Sequence, residues 1–300
     1  MGNLQVGETM GRQIDNRKMK LFFIAIFLLN SLIGFCQADL FFPLSKEFDW
    51  AEIEKQNQVL KSNFIKNLPD ELEPRRECGA LLDLENDLHI IDFNGDGLDD
   101  IIFNGYLCGE AEYIIIYINT DKAFTKIFTE TQQIHKIEIK NGKVYQLYIR
   151  DGGCCCEYIG INKIFSVDYS AAMPKISSIS RMQYINNSVE KYPNYYFDKP
   201  IKFEVLNDKY NIRFSPMIDD AMEVGYCGME VKGNSLGKLK LGSIGYALAE
   251  SIDSTGRVWW FVAIEPTSEI YESIYYDDAI SPDTYKLGWI SSRFVKEISE

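Results

Sequence analysis

The chain has 300 residues, 46% hydrophobic and 13% aromatic, enough for one large core or two ordinary ones, which excludes a disordered chain. Its 31 Lys and Arg stand against 44 Asp and Glu, a formal charge of −13. A groove that follows phosphates needs clustered cations and anionic lipid repels an acidic surface. Nucleic acid and peripheral membrane adhesion are therefore disfavoured, and cations and cationic or neutral ligands stay open.

Residues 1–38 read as a secretory signal peptide. Lys18 and Lys20 precede an apolar run from Leu21 to Phe35, and Cys36-Gln37-Ala38 supplies a small-x-Ala cleavage pattern. Residues 1–17 do not resemble the start of such a signal, so Met19 is an alternative start. The run is short for a membrane span and Asn30 and Ser31 interrupt it. Cleavage is read ahead of a permanent anchor, and ahead of lipidation at Cys36, where Phe35 stands in place of a small residue. The expected location is secreted, periplasmic or envelope-associated.

Export bears on the cysteines. Cys36 leaves with the signal, and Cys78, Cys108, Cys154, Cys155, Cys156 and Cys227 remain; an even number in an oxidising compartment favours disulfides. In an extended chain Cys155 points away from Cys154 and Cys156. A thiolate metal site using Cys154 and Cys156 is the alternative, without a C-x-x-C pair or a nearby histidine to support it. A reactive thiol is the third option.

Residues 39–75 form a leading helical segment. Asp49 and Glu52 make a capping box, Phe48 and Ile53 a hydrophobic staple. Trp50, Ile53, Leu60 and Phe64 recur at helical spacing, and Pro69 and Pro74 block continuation, so one amphipathic helix is expected from about 50 to 66.

Residues 76–185 read as one antiparallel β-rich domain. Candidate strands are Leu88 to Asp92, Asp100 to Phe103, Tyr113 to Ile118, Ile134 to Lys140, Lys143 to Ile149 and Tyr158 to Asp168. Asn141-Gly142 between two of them is a strong hairpin signal. No unit recurs, so a multi-blade propeller is not supported.

Inside this domain lies Asp92-Phe93-Asn94-Gly95-Asp96-Gly97-Leu98-Asp99-Asp100. Side-chain oxygens at the first, third, fifth and ninth positions (Asp92, Asn94, Asp96, Asp100), with the Leu98 carbonyl and a turn at Gly97, suit a hard cation. Phe103 occupies the twelfth position where an EF-hand needs Glu, and strands flank the loop. The D-x-N-x-D-G-x-x-D pattern between strands resembles the calcium loop of FG-GAP/VCBS repeats, here in one copy. Crowded carboxylates repel one another and a divalent ion relieves that, so calcium is expected, in a structural role; a solvated turn without an ion is the alternative.

Residues 186–200 read as a linker, punctuated by Pro193, Asn194 and Pro200, with Tyr192, Tyr195, Tyr196 and Phe197 packing it down.

Residues 201–300 carry short β-branched and aromatic runs between turn residues: Tyr210-Asn211-Ile212-Arg213-Phe214-Ser215-Pro216, Gly256-Arg257-Val258-Trp259-Trp260-Phe261-Val262 and Leu287-Gly288-Trp289-Ile290. Their order and spacing resemble the bacterial SH3 (SH3b) domain, which opens on an L-N-V-R-x-x-P-like strand, has a central G-x-W-x-x-V strand and closes on G-W-V-x-x-x-Y-V. The resemblance implies a small SH3-like β-barrel and a binding role. Trp259 and Trp260 must face opposite sides of their strand. One of them, with Trp289, Tyr246 and Tyr285, would line an aromatic peptide groove, though each is also a candidate core residue. The stretch from Glu265 to Lys286 is longer than the family uses; as an acidic insertion beside a groove it would favour amine-bearing ligands, and as a solvated loop nothing.

No G-x-S-x-G, H-E-x-x-H or phosphate-cradling glycine loop is present, and His89 and His135 sit in no catalytic motif. The sequence thus describes a mainly β, two-domain, exported, non-catalytic binding protein. Its SH3b-like domain would hold a cell-wall peptide, peptidoglycan or an envelope protein. One alternative is a calcium-stabilised structural or adhesion component whose SH3-like domain packs internally; another is a carboxylate-based hydrolase.

Overall fold

The computed structural model describes residues 49–77, 84–109, 111–150, 159–185, 192–193, 195–221, 223–226, 229–275 and 283–299. The signal segment, Cys78, Cys154, Cys155, Cys156 and Cys227 lie outside them. The chain is mainly β, and no helix of the described residues is long and apolar enough to cross a membrane.

The single helix expected over 50–66 is two pieces. A 3-10 turn, Trp50–Glu52, is capped by Asp49, which accepts from the Ala51 N–H at 2.9 Å. After a break, α1 (Gln58–Lys66) starts afresh with Asn57 as its cap, accepting from the Leu60 N–H at 3.1 Å. A second 3-10 turn, Asp70–Leu72, leads into α2 (Glu73–Glu77). The break has a physical cause. Trp50 and Ile53 pack into one core, Leu60 and Phe64 into another, on opposite faces of a sheet. The link must cross that sheet's edge, where the Lys55 N–H bonds the Ile90 carbonyl at 2.8 Å.

That sheet is antiparallel, in the order β1 (Leu88–Ile91), β2 (Asp100–Tyr106), β3 (Glu112–Asn119), β4 (Phe124–Thr131). Its apolar residues are nearly continuous because both faces are covered. Ile101, Phe103, Ile115 and Tyr117 meet Phe64, Leu68, Leu72 and Leu84, while Ile102, Ile114, Ile116 and Ile118 meet a second sheet.

The second sheet begins with β5 (Gln133–Lys140), β6 (Lys143–Arg150), β7 (Ile159–Asp168) and β8 (Lys175–Ile185). Asn141 and Gly142 form the β5–β6 hairpin with φ of 55° and 75°, a turn with both central residues left-handed. The rest of the chain supplies β9 (Ile201–Val205), β10 (Tyr210–Arg213), β11 (Glu223–Tyr226), β12 (Met229–Lys232), β13 (Ser235–Leu239), β14 (Ile244–Ile252) and β15 (Val258–Ile264). It ends with β16 (Ile270–Tyr271), β17 (Tyr285–Ser291), a 3-10 turn at Ser292–Phe294 and β18 (Val295–Glu297).

Twelve of these strands make one mixed sheet, ordered β18-β9-β14-β15-β17-β8-β7-β6-β5, with β10, β13 and β16 branching off. Among the described strands β11 and β12 pair only with each other. The junction is β17. Its first residues run parallel to β8 (Tyr285 opposite Met182), and near its end Trp289 is paired with Arg213 of β10 on the same side. The sheet therefore continues across the 186–200 segment. Among the described strands it does not close into a barrel.

Both faces of β14, β15 and β17 are buried. Ala247, Val262, Ile264 and Ile290 point into a core with Phe203, Val205, Ile212 and Leu239. Tyr246, Trp259, Phe261 and Trp289 point into another, completed by Tyr148, Ile164, Met182 and Tyr184 from β6–β8. The Glu265 to Lys286 stretch adds β16 to the edge of β13 and pairs Lys240 with Glu269 at 2.8 Å and Lys238 with Glu272.

Candidate functional site

The acidic loop between β1 and β2 is organised around its first aspartate. Asp92 accepts from the N–H groups of Gly95 (2.8 Å), Asp96 (3.1 Å) and Gly97 (3.1 Å). Asn94 Oδ1 accepts from the Asp96 N–H, and Asp96 Oδ1 from the Leu98 N–H. Gly95, at φ 72°, lies so close to the β5–β6 hairpin that a Cβ would meet Lys143 Cγ at 2.7 Å. Asp100 has a different environment. It is fully buried, one oxygen accepting from the Phe93 N–H and the other from the Asn119 N–H, each at 2.7 Å. Burial, helped by Asp96 and Asp92 and opposed by those two bonds, pushes its carboxyl up to about 6. The neighbouring Asp99 is paired with Lys55 at 2.8 Å and with Asn57.

Hard oxygen donors of this kind suit calcium, and Asp96 and Asn94 each retain acceptor capacity beyond the bonds they make. Among the described residues no three acidic, His or Cys side chains converge as a metal cage. Asp92 faces the loop's own N–H groups and Asp100 ties β2 to the loop and to the end of β3. The donor chemistry fits the ion, and the loop's own hydrogen bonds hold its shape.

Of the cysteines, Cys108 is described and is disulfide-bonded. The expectations for the other five fall outside the described residues. His89 lies flat on Trp50, ring centroids 3.7 Å apart, with its Nδ1 3.2 Å from Glu54, which also holds Lys61 at 2.9 Å. Burial pushes the imidazole pKa down against the pull of Glu54. The ring is enclosed with its carboxylate, away from any groove. Asp100, the carboxyl driven closest to neutrality, has no open side from which to reach a substrate.

The five aromatics expected to line a groove are placed as follows. Trp259, Trp289 and Tyr246 are buried together in one core, with Tyr285 packed against it. Trp260 points to the opposite face and leans on Phe203, with ring centroids 5.9 Å apart. The shared face of Trp259, Trp289 and Tyr246 is covered by the chain itself. Tyr192 and Tyr196 set their ring edges on Phe261 at 5.9 and 6.3 Å, and the Phe197 N–H bonds the Leu248 carbonyl.

An open cavity of about 120 Å³ lies instead at the joined ends of β10, β15 and β17, lined by Tyr210, Arg213, Arg257, Trp259, Arg293 and Phe294 among others. Residues 201–300 contain three arginines, and all three line it. No Asp or Glu is in its lining among the described residues. Each arginine is placed by its own element. Arg213 is buried at the end of β10 and held by Asn234 Oδ1 at 2.5 Å and Asp220 Oδ1 at 2.9 Å. Asn234, fully buried, in turn binds Ser215 and the Met217 carbonyl. Arg257 follows a turn ordered by Asp253, which accepts from the Thr255 hydroxyl at 2.6 Å, the Trp259 indole at 2.9 Å and the Arg257 N–H at 3.0 Å. Those bonds, the Thr255 hydroxyl first, hold the Asp253 carboxyl well below the usual carboxylate range. The Arg257 guanidinium lies 5.7 Å from the Trp259 ring centre, and its Nε is buried with no hydrogen-bond partner among the described residues. Arg293 sits in the 3-10 turn after β17.

Tyr210 marks the middle of the group. Its hydroxyl donates to the Ser291 carbonyl at 2.7 Å. Burial raises its pKa, while the Ser291 bond and the charges of Arg257 and Arg293 pull the other way. Two guanidiniums thus bear on one tyrosine, and neither has a carboxylate partner among the described residues. Chemically the arrangement suits an anion held against aromatic walls.

Sequence reasoning passed over these arginines because they are far apart in the chain and each looks like an ordinary strand-end cation. The usable signal was their position, Arg213 and Arg257 inside two of the SH3b-like segments and Arg293 three residues past the third.

No protein-family model matches the chain, and searches of curated proteins and of solved structures give no match either.

Proposed function

We propose that this is an exported, non-catalytic binding protein of the cell envelope, and that residues 201–300 are an SH3-like unit that holds a cell-wall peptide or an envelope protein. The three segments that resemble the SH3b pattern support this by lying side by side, β15 against β17 and β17 against β10. The Gly288 before Trp289 has a local reason: a Cβ there would meet Ile212 Cγ1 at 2.7 Å and the Arg213 carbonyl at 3.0 Å, so only glycine lets β10 cross so closely. The observation that carries the reading is the cavity where these strands end, concave, mixed in polarity and equipped with unpaired guanidiniums. Co-sedimentation of the purified protein with intact peptidoglycan sacculi, with calcium present, tests it. Pelleting that Arg257→Gln abolishes at unchanged circular dichroism is expected; failure of the unmodified protein to pellet removes the wall as ligand.

A second reading has its own observation. The aromatic face of β14, β15 and β17 is covered by β6–β8 side chains and by Tyr192 and Tyr196, so the SH3-like unit uses that face to pack on its own chain. On that reading the C-terminal unit is a structural brace, and the protein pellets with nothing.

In either case the Asp92–Asp100 loop takes calcium as a structural ion, using Asp92, Asn94, Asp96 and the Leu98 carbonyl, while Asp100, expected from the sequence as a further ligand, is buried and holds the loop to β2 and β3. With a dissociation constant near 10⁻⁴ M, as in extracellular modules, ~1 mM calcium would add roughly 1.4 kcal/mol. A melting temperature unchanged between calcium and chelator would refute this.

A further inference from the structure

We infer that the arginine cavity is a receptor for an organic carboxylate, specifically the free carboxyl terminus of a short peptide with small side chains. This deepens the binding role proposed above and rests on it.

The charge argument comes first. The protein carries a net −13, yet every arginine of its last hundred residues converges on one cavity without an acidic residue in the lining among the described residues. Arg213 is neutralised from outside by Asp220, whose side chain is 74% exposed. Arg257 and Arg293 have no such partner among the described residues, nor does the buried Nε of Arg257 meet an acceptor there. The two guanidiniums thus keep donors that a bound anion can take up. Guanidinium groups present paired donors that match the two oxygens of a carboxylate.

The walls decide among anions. Trp259 is 2% exposed and stacked under Arg257, and Tyr210 and Phe294 pack edge to face with ring centroids 5.9 Å apart. Ile218 adds an exposed apolar side chain. Such a lining suits an acid with an apolar body and wastes itself on a hydrated inorganic anion. About 120 Å³ admits a carboxylate with a small side chain and is too small for a nucleotide. The remainder of the peptide leaves through the open mouth.

Calorimetric titration of the purified protein with N-acetyl-alanyl-alanine, its C-terminal amide and inorganic phosphate tests the inference. The free acid should bind, the amide at least tenfold more weakly, and phosphate more weakly than the acid. Arg257→Gln and, separately, Arg293→Gln should each lower acid affinity at least tenfold while the urea midpoint stays within error. Equal binding of acid and amide overturns the inference, as does phosphate binding better than the acid, no binding of the acid at millimolar concentration, or full affinity in both folded variants. Sacculus pelleting separates this result from the broader reading. Pelleting without acid binding sinks the carboxylate site alone, and acid binding without pelleting sinks the wall-binding role alone.

Discussion

Trp289→Ala separates a core tryptophan from a ligand-binding one. Trp289 is 1% exposed, its ring centroid 5.3 Å from that of Phe261, and β17 is paired on both sides at this position, with Phe261 and with Arg213. An aromatic of this size buries roughly 200 Å², and at about 25 cal/mol per Å² its removal forfeits up to ~5 kcal/mol. Large-to-small core changes at Trp cost about 3–5 kcal/mol. Against the ~5–15 kcal/mol that holds a typical domain together, this is roughly a fifth or more of the total. Urea unfolding followed by circular dichroism should show the midpoint falling by the equivalent of about 4 kcal/mol, with Trp289→Phe intermediate. A Trp289→Ala protein that loses less than about 1 kcal/mol yet no longer pellets with sacculi would refute the burial argument and return Trp289 to an open ligand groove.

Asp100→Ala should cost about 2–4 kcal/mol, because it leaves the Phe93 and Asn119 N–H groups without acceptors; Asp96→Ala should cost about 0.5–1.5 kcal/mol without calcium, through the lost bonds to the Leu98 N–H and the Asn94 amide, and abolish the gain from calcium. Gly160→Val on β7 should destabilise by about 1–3 kcal/mol, since a Cβ at Gly160 would lie 2.2 Å from the Tyr184 ring packed across it; thermal melts check both. His89 gives a pH dependence. Its pKa is lower folded than unfolded, so between the folded value and about 6.5 the unfolded chain binds more protons and stability rises with pH. The stability difference between the unmodified protein and His89→Phe should therefore grow in favour of the unmodified protein from pH 5 to 7, and a flat difference contradicts a buried neutral imidazole.

Local signals in the sequence translated well where one neighbour decides the conformation. Asn141-Gly142 makes its hairpin because both residues tolerate positive φ. Asp49 caps a turn, and Trp259 and Trp260 face opposite cores because a strand alternates. Helical spacing across Trp50, Ile53, Leu60 and Phe64 misled because two cores, one on each side of a sheet, draw on the same short segment. The β8–β17 parallel pair joins residues a hundred positions apart and leaves no periodic trace. The aromatics of the SH3b-like segments were legible as aromatics, but their cover, Tyr192 and Tyr196, comes from a stretch that reads as linker. Net acidity pointed toward cationic ligands, whereas Arg213, Arg257 and Arg293 build a local field of the opposite sign that only the fold assembles. A whole-chain charge cannot report that.

The most direct measurement is hydrogen exchange of the purified protein, alone and with soluble fragments released from sacculi by lysozyme. Binding through the arginine cavity places new protection on Tyr210–Arg213, on residues 256–259 and on residues 291–294, leaving the Tyr246 and Phe197 regions as they were. Protection gathered on Tyr246 and residues 195–197 would mean that the self-packed aromatic face opens to the ligand, and no protection anywhere would contradict wall binding itself.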